Sequence, residues 1–307
     1  MNRKAGKIFR HAMPRPRAHP VDLADGLEHA RRLDRPAQAL AGLVRRTLRP
    51  GPVKDALHGV PAGHPAHPPL TDIPLGCWVS AAILDMVPGR QGTERAARTL
   101  VAAGLVTALP TALTGLADWS VLHREQQRVG LVHALSTVTA GGLYAASLLA
   151  RRRGRPAGGK AFGFAGLTAL LAGGYLGGHL AFRQAAGANH AESVIHLMPL
   201  GWHDVCSVDD LPESWPVHRR LGYISLFVLR QGDEIHVLAD RCAHLGGPLH
   251  QGRLVTENDE TCVICPWHGS TYRVRDGGVV HGPATGRQPA FETRVRDDGI
   301  VQVRPVG

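Results

Sequence analysis

The chain has 307 residues, of which 44% are hydrophobic and 20% charged, and its 35 Lys and Arg outnumber its 25 Asp and Glu. The positive surplus lies before residue 198, because the remainder holds 11 basic against 14 acidic residues. Since this charge flanks long apolar runs, it is typical of contact with an anionic membrane surface and disfavours nucleic acid as a partner.

Residues 1–57 are predicted to be a basic N-terminal tail with one possible amphipathic helix. Apolar side chains recur on one face of that helix, beside arginines: Leu40, Leu43, Val44 and Leu48. Such a helix would lie on a membrane surface; alternatively, the tail is mostly disordered and the helix is transient. The first 69 residues contain no apolar run typical of a removable signal peptide, so an internal helix is expected to direct membrane insertion.

Three uncharged stretches then follow, at residues 99–117, 129–150 and 161–182. Each is long enough to cross the hydrocarbon core as a helix. A weaker stretch at 70–88 is interrupted by Asp72 and Asp85, but an acid that faces a bundle interior is tolerated there. The sequence therefore predicts a four-helix transmembrane bundle over 58–184, which could be two helical hairpins. A soluble bundle rich in Ala, Leu and Gly is the alternative.

After a linker at 185–197, the pattern changes to short alternating apolar runs separated by turns. The clearest predicted strands cover residues 223–229, 235–239, 279–280 and 300–303, with a hairpin turn at 231–233. Residues 198–305 are therefore predicted to form a small, mostly β domain. The fold class is α + β with two domains: a four-helix transmembrane bundle followed by an all-β domain.

Cysteine and histidine residues are concentrated in this second domain. A Cys-x-His motif and, 20 residues further on, a Cys-x-x-His motif supply four candidate metal ligands: Cys242, His244, Cys265 and His268. Five cysteines in the whole chain, an odd number, favour a metal site over a disulfide framework. Two Cys and two His could hold a tetrahedral zinc ion, so spacing alone leaves the metal open. Cys262 is predicted to be a buried strand residue.

The residues around these motifs resemble the two cluster-binding loops of the Rieske family. Glycines follow the first motif, Pro266 and Gly269 surround the second, and a downstream Gly-Pro pair resembles the covering loop that contains Pro283. The resemblance covers about residues 198–305 and implies a [2Fe-2S] cluster. It assigns the two cysteines to an inner iron and the two histidines to an outer iron, with a potential of about −150 to +300 mV.

Comparison with the subclasses of that family refines the expectation. Rieske proteins of quinol-oxidising complexes have a disulfide between the loops, whereas this chain has Gly247 and Trp267 at those positions. It therefore resembles the ferredoxin and oxygenase subclass. Ser270 and Tyr272, however, resemble residues that donate hydrogen bonds to cluster sulfur, which implies a potential above that of simple Rieske ferredoxins.

The membrane half contains its own histidines. Four crossings place five of them near the face that carries the cluster domain: His64, His67, His123, His133 and His179. Residues 58–184 resemble a family of uncharacterised four-helix membrane domains with a His-Pro-x-x-His-Pro opening. Four of the histidines, His64, His67, His133 and His179, are candidate ligands of haem b or of a quinone. Alternatively, they only form hydrogen bonds within the bundle.

The predicted function is one-electron transfer between a membrane partner, either a quinone or a haem, and a soluble redox partner. One alternative is a component of a membrane-bound oxygenase, which would need a separate mononuclear iron site. A second alternative is a redox sensor. The protein is predicted to be a multi-pass protein of the cell membrane with the Rieske domain on the cytoplasmic face, although Arg151 to Arg155 favour the opposite orientation.

Overall fold

A computed structural model describes residues 20–88 and 91–306, which form a helical part followed by a β part. Eight α-helices lie within the described residues: α1 Pro20–Glu28, α2 Asp34–Thr47, α3 Pro52–His58, α4 His67–Met86, α5 Gln91–Trp119, α6 Arg124–Arg152, α7 Pro156–Gly178 and α8 Ser193–Leu197. A π-helical turn, His179–Arg183, extends α7. The term four-helix bundle therefore describes α4 to α7 and omits four shorter helices.

The long helices α4 to α7 form the bundle. Helix α4 packs against α5 and α7, and α6 packs against the same two neighbours, so α4 and α6 are diagonally opposite. Short connections make neighbouring helices antiparallel, and α4 and α6 therefore run in the same direction. Three segments are long and apolar enough to cross a membrane: Gly92–Trp119, Arg124–Arg152 and Pro156–Arg183. Helix α4, predicted as the weakest span, is not among them.

Glycines let the rings of α4 and α6 reach the bundle centre. Trp78 on α4 stacks on Tyr144 on α6, with ring centroids 4.3 Å apart and planes inclined by 9°. A Cβ on Gly104 would lie 2.3 Å from Trp78, and one on Gly166 would lie 3.0 Å from Tyr144. The abundance of glycine thus serves close helix packing, as expected of a membrane bundle.

An ion pair occupies the end of the bundle remote from the β domain. Asp85 on α4 accepts hydrogen bonds from both terminal nitrogens of Arg151 on α6, and both side chains are buried. Lys160 also donates to the Asp85 carbonyl, at 3.0 Å. Asp85, one of the two acids that interrupt the predicted span at 70–88, is thus neutralised inside the bundle, as charges within a bundle usually are.

The short N-terminal helices pack on the bundle at the end that carries the β domain. Ala37 and Ala41 on α2 are buried against Trp119, and Leu40 packs against the same cluster. Leu43, expected on the same apolar face, is instead exposed beside the arginines. The buried face of α2 is therefore centred on its alanines, since small side chains allow the helix to approach Trp119 closely.

The β part contains ten strands in two antiparallel sheets. Their bounds are β1 His203–Ser207, β2 Val217–Leu221, β3 Ile224–Gln231, β4 Glu234–Ala239, β5 Arg253–Glu257, β6 Glu260–Ile264, β7 Thr271–Arg273, β8 Val279–His281, β9 Ala290–Val295 and β10 Ile300–Pro305. The larger sheet has the order β1-β10-β9-β4-β3-β2, and the smaller has β5-β6-β7-β8. All paired strands are antiparallel.

The hairpin predicted near residues 231–233 is present between β3 and β4. Gln231 pairs with Glu234, which leaves a two-residue turn whose Gly232 has a φ of 60°. Cys262 lies in β6 and is fully buried, as predicted. The two candidate metal-binding loops follow β4 of the larger sheet and β6 of the smaller sheet, and they lie beside the helical part.

The two parts are in direct contact around α3. Asp55, buried on α3, binds His281 of β8 through Oδ2, 2.8 Å from Nδ1, and accepts the backbone N–H of Gly282 on Oδ1 at 2.9 Å. His281 also lies 3.0 Å from Glu257 through Nε2. The His190 backbone N–H donates to Ala243 O at 2.8 Å. These contacts hold the metal-binding loops against the membrane half.

Candidate metal centre at the domain interface

Two loops bring the four candidate ligands together. Cys242 and His244 follow β4, whereas Cys265 and His268 follow β6. The two thiols are within hydrogen-bond reach of each other. The two imidazole rings have centroids 5.0 Å apart and meet edge to face. Residues separated by a 20-residue gap in the sequence therefore form one site.

Backbone hydrogen bonds give each loop its shape. In the first loop, Cys242 N donates to Gly247 O and Gly246 N to Cys242 O, both at 2.8 Å. In the second, Cys265 N donates to Ser270 O at 2.8 Å and Gly269 N to Cys265 O at 3.1 Å. Each loop thus closes as a tight turn around its cysteine.

Gly247 is required by the approach of the two loops. A Cβ at this position would lie 2.9 Å from Cys265 Sγ and 3.1 Å from the Trp267 ring. A disulfide between the loops is also absent among the described residues, where all five cysteines are free. The site therefore has the arrangement of Rieske ferredoxins rather than that of the disulfide-containing subclass.

The donor atoms fit a two-iron cluster better than a single ion. His244 Nδ1 is buried and has no hydrogen-bond partner among the described residues, as expected of a nitrogen that binds metal. No three of the four donor atoms all lie within 4.8 Å of one another. A tetrahedral zinc ion would draw four donors closer than this, whereas two bridged irons spread them.

The protonation states also suit metal binding. Burial lowers the pKa of His244 well below its usual value, and the neighbouring charge of His268 lowers it further. Burial, followed by the charges of His123 and nearby cations, lowers the pKa of His268 to about 4. Both imidazoles are therefore neutral at pH 7, the form that binds iron. The contact between the two thiols lowers the pKa of Cys242 to about 7 and raises the pKa of Cys265, so one thiol of the pair ionises first.

Hydroxyl groups surround the sulfur side of the site. The Tyr272 hydroxyl lies 3.1 Å from Cys242 Sγ and is fully buried. Ser270, also fully buried, accepts the backbone N–H of Ala284 at 3.0 Å, and its hydroxyl is within hydrogen-bond reach of Tyr272. Ala284 follows Pro283 in the segment predicted to cover the cluster. That segment is therefore joined to the second loop through Ser270.

The histidine side of the site faces the helical part. His123, the residue before α6, has its ring centroid 6.0 Å from that of His268 and 5.6 Å from that of Trp267. His58 at the end of α3 is buried and lies 2.7 Å from Asp118 through Nδ1. The charge of His58 is close enough to act on His244. The outer side of the centre is therefore lined by the membrane half.

A cleft of about 450 Å³ opens between the second loop and the helical part. It is lined by His268 and Trp267 from the β domain and by Arg45, Lys54 and His58 from the helices. Apolar side chains such as Val121 and Leu122 complete its wall. The cleft is thus basic on one side, apolar on the other, and adjoins a candidate iron ligand.

The structure separates the predicted membrane histidines. His64 is exposed, with Nδ1 3.1 Å from the carbonyl of its neighbour Pro65. His179 is buried and paired with Glu28 of α1, 2.6 Å from Nε2 to the carboxylate. His67 and His133 lie within the bundle. The structure therefore does not bring all four predicted histidines together in one site, because His64 and His179 have other partners.

Several residues of the interface were not predicted from sequence. Asp55, Asp118, Arg45 and Lys54 lie far from the Cys and His motifs in sequence, and nothing local marks them as neighbours of a metal centre. His58 precedes the His-Pro-x-x-His-Pro segment, which was the available signal. The contacts arise because the β domain folds back onto the start of the helical part.

These features define a class: an electron-transfer protein with a candidate metal centre of two Cys and two His, attached to a helical membrane domain. The model of the Rieske [2Fe-2S] domain matches residues 201–292. The model described as a predicted membrane protein, DUF2231, matches residues 63–190.

Small ferredoxins are similar to the β domain along most of their length. The anthranilate 1,2-dioxygenase ferredoxin subunit of Burkholderia cepacia is 30% identical over 102 residues, 33% of this chain and 90% of that protein. Ferredoxin CarAc of Metapseudomonas resinovorans is 31% identical over 100 residues, 32% of this chain and 90% of that protein. The chain belongs to the Rieske [2Fe-2S] family, and its cofactor is a [2Fe-2S] cluster.

Other similarities are confined to the same domain. Human apoptosis-inducing factor 3 is 27% identical over 96 residues, which is 31% of this chain but 15% of that protein. The ferredoxin of carbazole 1,9a-dioxygenase from Nocardioides aromaticivorans has a solved structure that is 23% identical, with a TM-score of 0.31. That match covers 34% of this chain and 98% of the ferredoxin.

Proposed function

We propose that the protein is a membrane-anchored one-electron carrier that relays electrons between a membrane partner and a soluble redox protein. The observation that carries this proposal is the orientation of the candidate centre, whose two histidines face the membrane half. In this arrangement the outer iron is the one nearer the membrane. The similarity to ferredoxin subunits of dioxygenases supports a soluble partner on the other side.

Four side chains are proposed to hold the cluster. Cys242 and Cys265 bind the inner iron as thiolates, and His244 and His268 bind the outer iron as neutral imidazoles. The cluster supplies a centre that gains and loses one electron, at a higher potential than an all-cysteine cluster because two ligands carry no charge. Burial of the thiols excludes water from the inner iron.

Neighbouring residues are proposed to tune and cover the cluster. Tyr272 and Ser270 donate hydrogen bonds to its sulfur atoms, and the segment containing Pro283 excludes solvent from it. The 3.1 Å contact between the Tyr272 hydroxyl and Cys242 Sγ supports the first role. Trp267, half exposed at the rim of the cleft, would contact a partner that binds there.

The cleft beside His268 favours a second candidate for the membrane partner, a hydroquinone. Its apolar wall would accept a ring, and Arg45 and Lys54 would stabilise the negatively charged oxygen left when a hydroxyl of the hydroquinone loses its proton. No carboxylate lines this cleft among the described residues. The Rieske cluster would then take one electron directly through His268.

Purification of the full chain in detergent tests the cluster. Equal amounts of iron and acid-labile sulfide are expected, together with the EPR signal of a reduced Rieske centre. Cys265→Ser and His268→Ala should lose that signal, because each removes a ligand. Cys77→Ser and His196→Ala are matched controls outside the centre and should retain it. A colourless protein with one bound zinc would overturn the proposal.

The alternatives make different predictions in the same sample. A carrier should be reduced rapidly by a water-soluble hydroquinone or by a ferredoxin reductase and reoxidised by a soluble acceptor. A sensor should exchange electrons slowly with both. An oxygenase component should consume oxygen only when a separate protein that contains mononuclear iron is added. Stopped-flow absorbance and oxygen consumption distinguish the three outcomes.

The cluster domain is proposed to lie on the cytoplasmic face. Arg31, Arg32, Arg46 and Arg49 are exposed around α2 at that end of the bundle, and short basic segments favour the cytoplasm. At the opposite end Arg151 is paired with Asp85, which leaves Arg152, Arg153 and Arg155 exposed there. A C-terminal fluorescent-protein fusion should fluoresce and an alkaline phosphatase fusion should be inactive; the reverse result would place the domain outside.

A further inference from the structure

The bundle contains an internal two-fold repeat that the sequence did not reveal. In the first hairpin, α4 and α5, Trp78 packs on Gly104; in the second, α6 and α7, Tyr144 packs on Gly166. The two rings stack on each other at the bundle centre. The hairpins are therefore related by a pseudo-two-fold axis that passes between these rings and along the bundle.

The same repeat relates His67 to His133. Each lies 11 residues before the stacked ring of its own helix, which is about three helical turns, and so lies on the same side of that helix. Because α4 and α6 run in parallel, the two histidines are at the same depth and face each other across the axis. The two rings are within electrostatic range of each other.

Hydrogen bonds hold the two rings equivalently. His67 Nδ1 donates to Thr111 O on α5 at 2.9 Å, and His133 Nδ1 donates to Gly173 O on α7 at 2.7 Å. A carbonyl can only accept, so Nδ1 carries the proton and Nε2 presents a lone pair. Neither Nε2 has a hydrogen-bond partner among the described residues. This is the tautomer and orientation of a metal-ligating histidine.

Glycines flank both rings at equivalent positions. Four residues after each accepting carbonyl, a Cβ on Gly115 would lie 2.6 Å from the His67 ring, and one on Gly177 would lie 3.2 Å from the His133 ring. Each imidazole is therefore fixed against a bare helix backbone. Fixed rings with free Nε2 atoms are what an axial ligand pair requires.

We propose that His67 and His133 are the two axial ligands of one b-type haem, bound on the pseudo-two-fold axis between α4 and α6. Charge favours this occupant over a bare cation. Two neutral imidazoles in an apolar bundle do not offset a divalent charge, whereas the porphyrin dianion neutralises ferrous iron. A quinone carbonyl is disfavoured because it needs hydrogen-bond donors and both Nε2 atoms are acceptors.

The site would give the cluster its membrane partner, and in this respect the inference rests on the proposed function. Both histidines lie in the half of the bundle nearer the cluster domain. One electron would leave the reduced cluster and convert ferric haem to ferrous haem, with no change of ligands. Residues His123 and Trp267 lie between the centre and the start of α6.

The full chain, expressed with a haem precursor and purified in detergent, tests the inference. The reduced-minus-oxidised spectrum should show a low-spin, six-coordinate haem b, and the pyridine haemochrome should give one haem per chain. His67→Ala and His133→Ala should each lose the low-spin spectrum. His64→Ala and His179→Gln, at positions outside the pair, should retain it. Added imidazole should restore the spectrum of His133→Gly.

Cluster EPR on the same samples separates the possible outcomes. Variants that keep the cluster signal but lose haem support the ligand pair, because the chain is folded. Wild-type protein with an intact cluster and no haem overturns this inference and leaves the proposed carrier function standing. Wild-type protein with haem but no cluster would support this inference and overturn the proposed carrier function. The assignment would also be overturned if His64→Ala or His179→Gln lost the haem while His67→Ala and His133→Ala retained it.

Discussion

At the scale of single residues, the potential of the cluster depends on two buried hydroxyl groups. Tyr272 contacts Cys242 Sγ, and Ser270 has a donor that no backbone acceptor uses. A hydrogen bond to sulfur stabilises the reduced cluster more than the oxidised one, because reduction adds negative charge. Both side chains are fully buried, so water cannot replace the lost bond.

Removal of these hydroxyl groups should therefore lower the midpoint potential. Tyr272→Phe and Ser270→Ala each delete one donor, and a tenfold change in the redox equilibrium corresponds to about 59 mV for a one-electron couple. We expect decreases of about that size in a spectroelectrochemical titration. Tyr223→Phe, at a residue that is 97% exposed, is the matched control. Unchanged potentials in both buried variants would refute the hydrogen bonds.

Local motifs predicted the four candidate metal ligands, whereas most long-range contacts of the site were not predictable. Cys242 and His244 share one turn, as do Cys265 and His268, so each pair can be identified within a few residues of sequence. His58 and Asp118 reach the surroundings of the centre from other elements, whereas His123 was expected near the face that carries the cluster domain. The positions of His58 and Asp118 depend on how the β domain docks on the helices, and no local sequence pattern predicts that docking.

At the scale of secondary-structure elements, the apolar pattern of the sequence predicted the elements that bury several large apolar side chains of their own. Strand β3 was expected within one or two residues, because residues 226–229 form an apolar run that is buried on both faces of the sheet. Strands β5 and β7 were not predicted from the sequence, because they are short, polar and stabilised by neighbouring strands. Helix α2 differs: its amphipathic pattern was predicted, but its buried residues are Ala37, Ala41 and Val44, whereas Leu43 is exposed.

The bundle repeat provides a graded test of helix packing. An added methyl group at Gly104 would meet Trp78 at 2.3 Å, whereas one at Gly166 would meet Tyr144 at 3.0 Å. Gly141 on α6 has no neighbour within 4 Å of an added Cβ. Overpacking of a tight contact costs about 1–3 kcal/mol.

Gly104→Ala should accordingly lower the thermal unfolding temperature most and Gly166→Ala less. Gly141→Ala should leave it unchanged or raise it, because alanine favours helix. Thermal unfolding in detergent, followed by intrinsic tryptophan fluorescence, would report the change at Trp78 directly. Equal effects for all three substitutions would show that the helices are not in close contact at the stacked rings.

At the scale of the whole molecule, one histidine links the two domains. His281 lies between Asp55 of α3 and Glu257 of β5, and Asp55 also binds the backbone before Pro283. The hydrogen bond to Asp55 raises the pKa of His281 above its ordinary value of 6.5, against a smaller effect of burial. A raised pKa in the docked state means that protonation of His281 stabilises docking.

The sign of the pH dependence follows from this shift. The contribution of His281 is fully present below about pH 6.5 and is lost as the pH rises through its raised pKa. Wild-type protein should therefore lose thermal stability over that interval. His281→Gln should be less stable at low pH and should lack this part of the slope, and Asp55→Asn should behave similarly. His196→Gln, whose imidazole is 73% exposed, is the matched control and should keep the wild-type slope.

Docking also connects this link to electron transfer. Asp55 and His58 lie on the same short helix, one bound to the segment that covers the centre and the other close to His244. Separation of the domains would move the outer histidines away from His123 and the bundle. The rate of electron exchange with a membrane partner should therefore fall in Asp55→Asn, while the EPR spectrum of the cluster stays unchanged. Stopped-flow reduction of the variant in vesicles measures this directly; a wild-type rate would show that the relay does not require the docked arrangement.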